Sequence, residues 1–232
     1  MVYVTGDVHG EIKRFKSKRV KRMKKRDYLI ICGDFSFIWN GSKKEKKLLK
    51  WIGKRKFTTL FVDGTHENYD LLEEYPRESF CEGEARRISK RLWGLCRGEI
   101  YNLNGQKFFV FGGGESRNYD DKIKENCFWN REMPNEEEYE NGLKNLAEHD
   151  FSVDYIITHE APFAIKEVVD PEDDTQNELH FYFNDIAKRV EFRRWYFGFF
   201  HINKVIPRSY QAVYTDVVPV ILPIFEKTCK KR

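Results

Sequence analysis

Cysteine is scarce in this chain: the five residues (Cys32, Cys81, Cys96, Cys127 and Cys229) are odd in number, widely spaced and without a Cys-x-x-Cys pair. That argues against a disulfide framework and a zinc-thiolate site, and reduced thiols are expected. Long apolar runs are missing too. No uninterrupted stretch approaches the roughly 20 residues of a membrane span, and the opening "MVYVTGDVHG" lacks the basic-then-apolar layout of a signal peptide. A cytoplasmic protein without a membrane partner is the expectation. No Gly-, Ser- and Pro-dense linker and no fixed-period repeat divides the 232 residues, which read as a single domain, 1–232.

Charge is present in abundance but unevenly spread. The formal balance is +4, yet "KRFKSKRVKRMKKR" (13–26) and "KKEKKLLKWIGKRK" (43–56) are basic while "NEEEYE" and "DPEDD" are acidic. Ile12, Phe15, Val20 and Met23 recur near helical spacing in the first run, which predicts a helix with its lysines and arginines on a solvated face. Such runs can also contact the phosphates of nucleic acid.

Short apolar runs, each followed by a turn with a polar residue, alternate with polar segments of helical periodicity. The runs are "MVYVTGDVHG", "DYLIICGDF", "TTLFVDGTHEN", "QKFFVFGGGES", "VDYIITHEAP" and "WYFGFFH". This pattern predicts an α/β protein with largely buried strands. Pro134 and Asn135 mark the start of a helix over "PNEEEYENGLKNLAEH", and "QAVYTDVVPVILPIF" predicts added antiparallel strands. In open α/β sheets ligands gather beyond the carboxyl ends of strands, so the loops there matter most.

Those strand ends carry Asp7 and His9, Asp34, His66 with Glu67, His159, and His201. The other two histidines, His149 and His180, fall in helical segments as surface or capping residues. Five strand ends that each offer a carboxylate or an imidazole point to a metal site. Mixed Asp and His donors without cysteine suit Mn²⁺, Fe²⁺, Zn²⁺ or Ni²⁺. In "GDVHG" an extended backbone points Asp7 and His9 the same way, and in "CGDF" Asp34 has two oxygens to offer to two ions.

Taken together, "GDVHG" (6–10), "GDF" (33–35), "GTHE" (64–67), "THEAP" (158–162) and "GFFH" (198–201) resemble, in order, the motifs of the calcineurin-like metallophosphoesterases. The resemblance implies a four-layer αββα sandwich of two mixed β-sheets flanked by helices, holding two metal ions about 3.5–4 Å apart. It implies a first ion held by Asp7, His9, Asp34 and His201, and a second sharing Asp34 and taking His159. His66 corresponds to the catalytic histidine that protonates the leaving oxygen, with Glu67 orienting its ring. Two cations neutralise phosphoryl oxygens and acidify water for in-line attack on a phosphomonoester or phosphodiester, so no covalent intermediate is required. A phosphorylated small molecule or nucleotide is the implied substrate.

Two positions depart from the resemblance. Thr65 stands in place of an asparagine and Phe199 in place of a histidine, both ligands of the second ion. A threonine hydroxyl still offers one oxygen, whereas phenylalanine offers nothing to a cation. One tight ion and a weak second one are therefore expected. Three readings stay open: a working phosphoesterase, an enzyme-derived protein that binds a phosphorylated ligand with little turnover, and a nucleic-acid-binding protein that uses the basic helix. In "FGGGESRNYDD" Ser116 and Arg117 are candidates to reach a substrate phosphate; a plain turn explains the glycines equally well.

Overall fold

In the computed structural model, which describes residues 1–116, 130–207 and 209–220, the apolar runs become strands of two mixed sheets. The first is built on parallel β1 (Val2–Thr5), β2 (Tyr28–Cys32), β3 (Thr58–Val62) and β6 (Leu92–Leu95). Antiparallel β5 (Gly83–Ser89) and β4 (Arg77–Phe80) extend one side and β13 (Val218–Pro219) the other. In the second sheet, β8 (Gln106–Phe111), β9 (Tyr155–Thr158), β10 (Arg194–Phe197) and β12 (Tyr210–Ala212) run parallel, edged by antiparallel β7 (Glu99–Leu103) and β11 (Lys204–Ile206).

Period-two alternation decides which side chains go where. Val4, Ile30, Cys32, Leu60 and Val62 meet Val110, Tyr155, Ile157 and Tyr196 between the sheets. Leu29, Ile31 and Phe61 point outward onto α1 (Lys18–Lys21), α2 (Lys43–Gly53) and α3 (Tyr69–Glu73). Across the molecule, Phe109, Phe111, Ile156, Trp195 and Phe197 pack under α4 (Glu136–Glu148), α5 (Phe163–Val169) and α6 (Glu178–Arg189). The result is the expected four-layer αββα sandwich.

Local signals hold at several places. Asn135 caps α4 in a reciprocal capping box with Glu138, and Ser42 caps α2 by accepting from the Glu45 N–H. Two expectations need correction. The first basic run is a 3₁₀ turn (Arg14–Lys16) followed by the four-residue α1, because Ser17 leaves the helix to cap α1 while Phe15, Val20 and Met23 stay buried. The terminal segment divides between sheets. β12 pairs parallel to β10 and antiparallel to β11, whereas β13 crosses to the other sheet and pairs antiparallel to β1. Residues 221–225 of that segment lie outside the described residues. The antiparallel strands β4 and β5 have no counterpart among the apolar runs, since their outer faces are exposed or half-buried and charged; β7 has none either, although most of it is buried. Among the described residues, no helix is long and apolar enough to cross a membrane.

Candidate metal centre

The loops after β1, β2, β3, β9 and β10 converge on one edge of the sandwich. Asp7, Asp34 and His159 are buried there, and His9, His66 and His201 line the opening. One donor atom from each of Asp7, His9 and His201 lies within 4.8 Å of the others, and the same holds for His9, Asp34 and His66. His9 Nε2 faces His201 Nε2 at 2.9 Å, and Asp7 Oδ2 is 3.2 Å from His201 Nε2. Asp34 turns its oxygens to different sides. Oδ1 lies 3.4 Å from His159 Nε2, while Oδ2 is 2.9 Å from His66 Nδ1 and 3.8 Å from His9 Nδ1.

The backbone is bent to make this arrangement. His9, Asp34, Ser36, Phe199 and His201 take φ of 44°, 45°, 51°, 64° and 51°, values that non-glycine residues seldom adopt. Such conformations persist only where surrounding structure over-determines them, and they gather at functional sites. Gly33 takes φ 95°, and a Cβ there would overlap the His159 ring; a Cβ at Gly64 would overlap Asp34 Oδ1. Both glycines let main chain approach the donors.

Electrostatics follows from the mutual proximity of these groups. Burial pushes the Asp7 carboxyl up, but the adjacent His159 and His201 rings outweigh it and the net shift is downward. Asp34 is likewise held low against its burial, through the charge of His159 and hydrogen bonds from His66. For His159 burial favours the neutral ring, yet the adjacent Asp34 and Asp7 carboxylates raise it to about 10. A cation changes this balance by taking the place of those protons.

The residues fit a divalent cation. Asp7 Oδ2 and His159 Nε2 are buried without a hydrogen-bond partner, although each lies within ion-pair distance of an opposite group. The ion-pair distances alone do not satisfy them, because the alignment of a hydrogen bond is missing. His159 Nδ1 sits 3.1 Å from the Cys32 carbonyl oxygen, to which it donates, and this aims Nε2 into the centre.

Other candidates land differently. Glu67 does not touch the His66 ring. Its buried carboxylate accepts from the Phe35 and Ser36 N–H groups at 2.6 and 3.1 Å, so it anchors the loop that carries Asp34. Thr65 is buried, with Oγ1 3.2 Å from His66 Nδ1. The Phe199 ring packs edge-on against His159 at 5.3 Å and its N–H donates to Asp7 Oδ1 at 3.3 Å. Ser116 is buried and donates to the Glu132 carboxylate, and Arg117 lies outside the described residues. His149 ends α4 as expected, whereas His180 is a buried cap of α6 whose Nε2 meets Glu160.

Three further residues surround these donors, and two of them, Arg14 and Tyr214, escaped the sequence reading. Arg14 reaches back under the β1 loop to the Asp7 carbonyl at 3.3 Å and also donates to Thr5 and to the Tyr214 carbonyl. Tyr214 stacks on His201 with centroids 4.7 Å apart. Glu160, beside His159, accepts from the Glu115 N–H at 2.8 Å and pairs with His180. The local patterns around Arg14 and Tyr214 speak of a helix and of strands, not of the centre, and only folding brings the two residues there.

The profile of the calcineurin-like phosphoesterases matches residues 1–198. The chain belongs to that family. The matched span of this calcineurin-like phosphoesterase includes Asp7, His9, Asp34, His66 and His159 and ends just before Phe199 and His201. No curated protein sequence matches the chain. Among solved structures it is similar to a "putative 5'-nucleotidase" from Staphylococcus aureus in complex with alpha-ketoglutarate, at 16% identity and a TM-score of 0.47. That alignment covers 92% of this chain and 48% of the other, so the chain spans about half of that protein's length.

Proposed function

We propose that the protein hydrolyses a phosphomonoester or phosphodiester by metal-activated water, with one complete metal site and a second weakened by Thr65 and Phe199. The observation that carries the reading is the convergence of Asp7, His9 and His201 donor atoms at one strand edge. Asp7, His9, Asp34 and His201 would hold the first ion; Asp34 and His159, with Thr65 alongside, would hold the second. When bound, such an ion supplies Lewis acidity, which offsets charge on phosphoryl oxygens and makes water more acidic.

The side chains do the rest. Asp34 fixes the His66 ring through Nδ1 and leaves Nε2 on the half-exposed side, free to deliver a proton to the leaving oxygen as the ester P–O bond breaks. Glu67 holds the Asp34 loop, which makes it a positioning residue. Asp7→Asn and His201→Ala are expected to lower both bound metal and hydrolysis of a chromogenic phosphoester with added Mn²⁺ by at least about 10–100-fold, the loss typical of even an outer partner of a ligand. Unchanged turnover in Asp7→Asn would reject the assignment.

A second reading has its own observation. The Phe199 ring, at the position where the resemblance sets a ligand, packs edge-on against His159. A single-ion protein that binds a phosphorylated ligand with little turnover would show one tight ion per chain and phosphate binding without hydrolysis.

A further inference from the structure

The edge opposite the metal centre is as strongly basic as the centre is acidic. Because β1, β2, β3 and β6 are parallel and in register, the residues just before them share one edge. Those residues are Lys24, Lys25 and Arg26 before β2, Lys54, Arg55 and Lys56 before β3, and Lys90 and Arg91 before β6. A five-residue strand separates this edge from the metal loops by about 16 Å. No acidic residue occurs at 12–26, 46–62 or 85–98. Asp27, which does reach the edge, is taken up by the Met1 ammonium at 2.9 Å and the Lys24 N–H at 2.6 Å.

The basic groups before β3 and β6, with Lys21 and Lys50, line two adjoining clefts. One, of about 470 Å³, has Lys50, Lys54 and Arg55 on one wall and Lys90 and Arg91 on the other. Its walls meet where Gly53 packs directly on Ser89. The other, of about 370 Å³, is lined by Lys21, Lys54, Arg55 and Lys56 over an apolar floor that includes Trp51 and Phe57. Arg55, common to both, lies 3.6 Å from the Trp51 ring, and Arg91 donates to the Arg55 and Lys56 carbonyls at 3.0 and 2.5 Å. Two guanidinium groups are thereby held in place while the lysines beside them are exposed.

We propose that this basic double cleft binds the phosphate backbone of a nucleic acid. The charges are spread along adjoining grooves rather than converging on one point, which matches a chain of phosphates better than a single anion. An anionic membrane is the poorer fit, because surface helices that enter lipid present bulky apolar side chains. Of the exposed large hydrophobics, Met1, Trp39, Val168, Phe181 and Val205, none lines either cleft. The groove is distinct from the metal loops, so its role does not depend on the proposed hydrolysis.

The test is fluorescence anisotropy of labelled single-stranded and duplex 20-mers with the full chain, titrated with salt and compared with vesicles containing anionic lipid. Lys54→Glu/Lys56→Glu/Lys90→Glu is expected to weaken oligonucleotide binding at low salt at least tenfold. Lys→Gln at the same positions should make the slope of log affinity against log salt shallower by about 2–3, at 0.7–0.9 per lost phosphate contact. The matched control, Lys144→Glu/Lys188→Glu on helices of the other sheet, should change binding little. Thermal melting checks that each variant is folded, and the Gln set replaces the Glu set if the latter is not. No oligonucleotide binding at low salt, equal loss in the control, undiminished binding in both cleft variants, or binding to vesicles alone would each overturn the proposal.

Discussion

At the scale of the residue, the contact between Phe199 and His159 bears most directly on the proposed chemistry. The edge-on ring at 5.3 Å fills space beside an imidazole whose Nε2 is buried and unsatisfied. If ligation alone is missing, Phe199→His combined with Thr65→Asn should tighten binding of a second ion at least tenfold, given what ligand partners contribute, and should raise turnover. Metal counted per chain by elemental analysis, alongside hydrolysis, checks this, and an unchanged stoichiometry counts against the placement of both residues. A pH dependence follows from the same groups. In the metal-free protein Asp7 and Asp34 are ionised at neutral pH, His159, raised to about 10, keeps its proton there, and His201 is shifted upward by the nearby Asp7 carboxylate. A cation must displace the protons on these rings, so affinity should increase with pH, by about tenfold per unit for each proton displaced. Competition with a chromophoric chelator between pH 6 and 9 measures the slope; a flat profile would mean that the imidazoles are not ligands.

At the scale of the element, the strand-to-loop junctions bear most of the constraint. Gly33 both takes a positive φ and makes room for His159. Gly33→Ala is expected to cost about 2–4 kcal/mol, from a backbone conformation alanine resists and from overpacking, and to release metal as well. Denaturant unfolding paired with metal analysis distinguishes this from a surface change, which would leave both nearly as they were. How much of these elements was legible varies with where their information lies. β1, β2, β3, β8, β9 and β10 announce themselves because strands buried on both faces are continuous apolar runs. β4 and β5 do not, since their exposed positions are charged and their pairing partners alone make them strands. The first basic run has the periodicity of one helix, yet the Ser17 side chain offers its oxygen to the Val20 N–H and starts a separate, shorter one.

The whole molecule joins its layers through contacts that lie far apart in sequence. Buried Arg97 donates to Asp63 at the end of β3, to Glu138 of α4 at 2.9 Å and to the Arg131 carbonyl at 2.8 Å, which ties the first sheet to a helix of the second. The candidate metal centre is a similar tie, with Asp7 and Asp34 from one sheet and His159 and His201 from the other. An ion that binds only the folded form should therefore stabilise the entire sandwich. At a concentration about 100 times its Kd the gain is about 2.7 kcal/mol, a rise of about 5–10 °C in Tm for a chain of this size. Thermal melting with Mn²⁺ against chelator reads the shift. The same shift persisting in Asp7→Asn would place the ion elsewhere.

The sequence by itself determined the buried strands, the order of the family's motifs and the two departures from them at Thr65 and Phe199, because each is written in adjacent residues and their local spacing. Tertiary structure alone decided that Glu67 anchors the Asp34 loop instead of the His66 ring, and that Arg14 and Tyr214 support the centre. It also decided that the basic segments before β2, β3 and β6 gather at one edge. The physical reason is shared by all three. A side chain's partner is chosen by sheet register and loop closure, which act across tens to hundreds of residues, whereas sequence patterning reports only on the few residues either side.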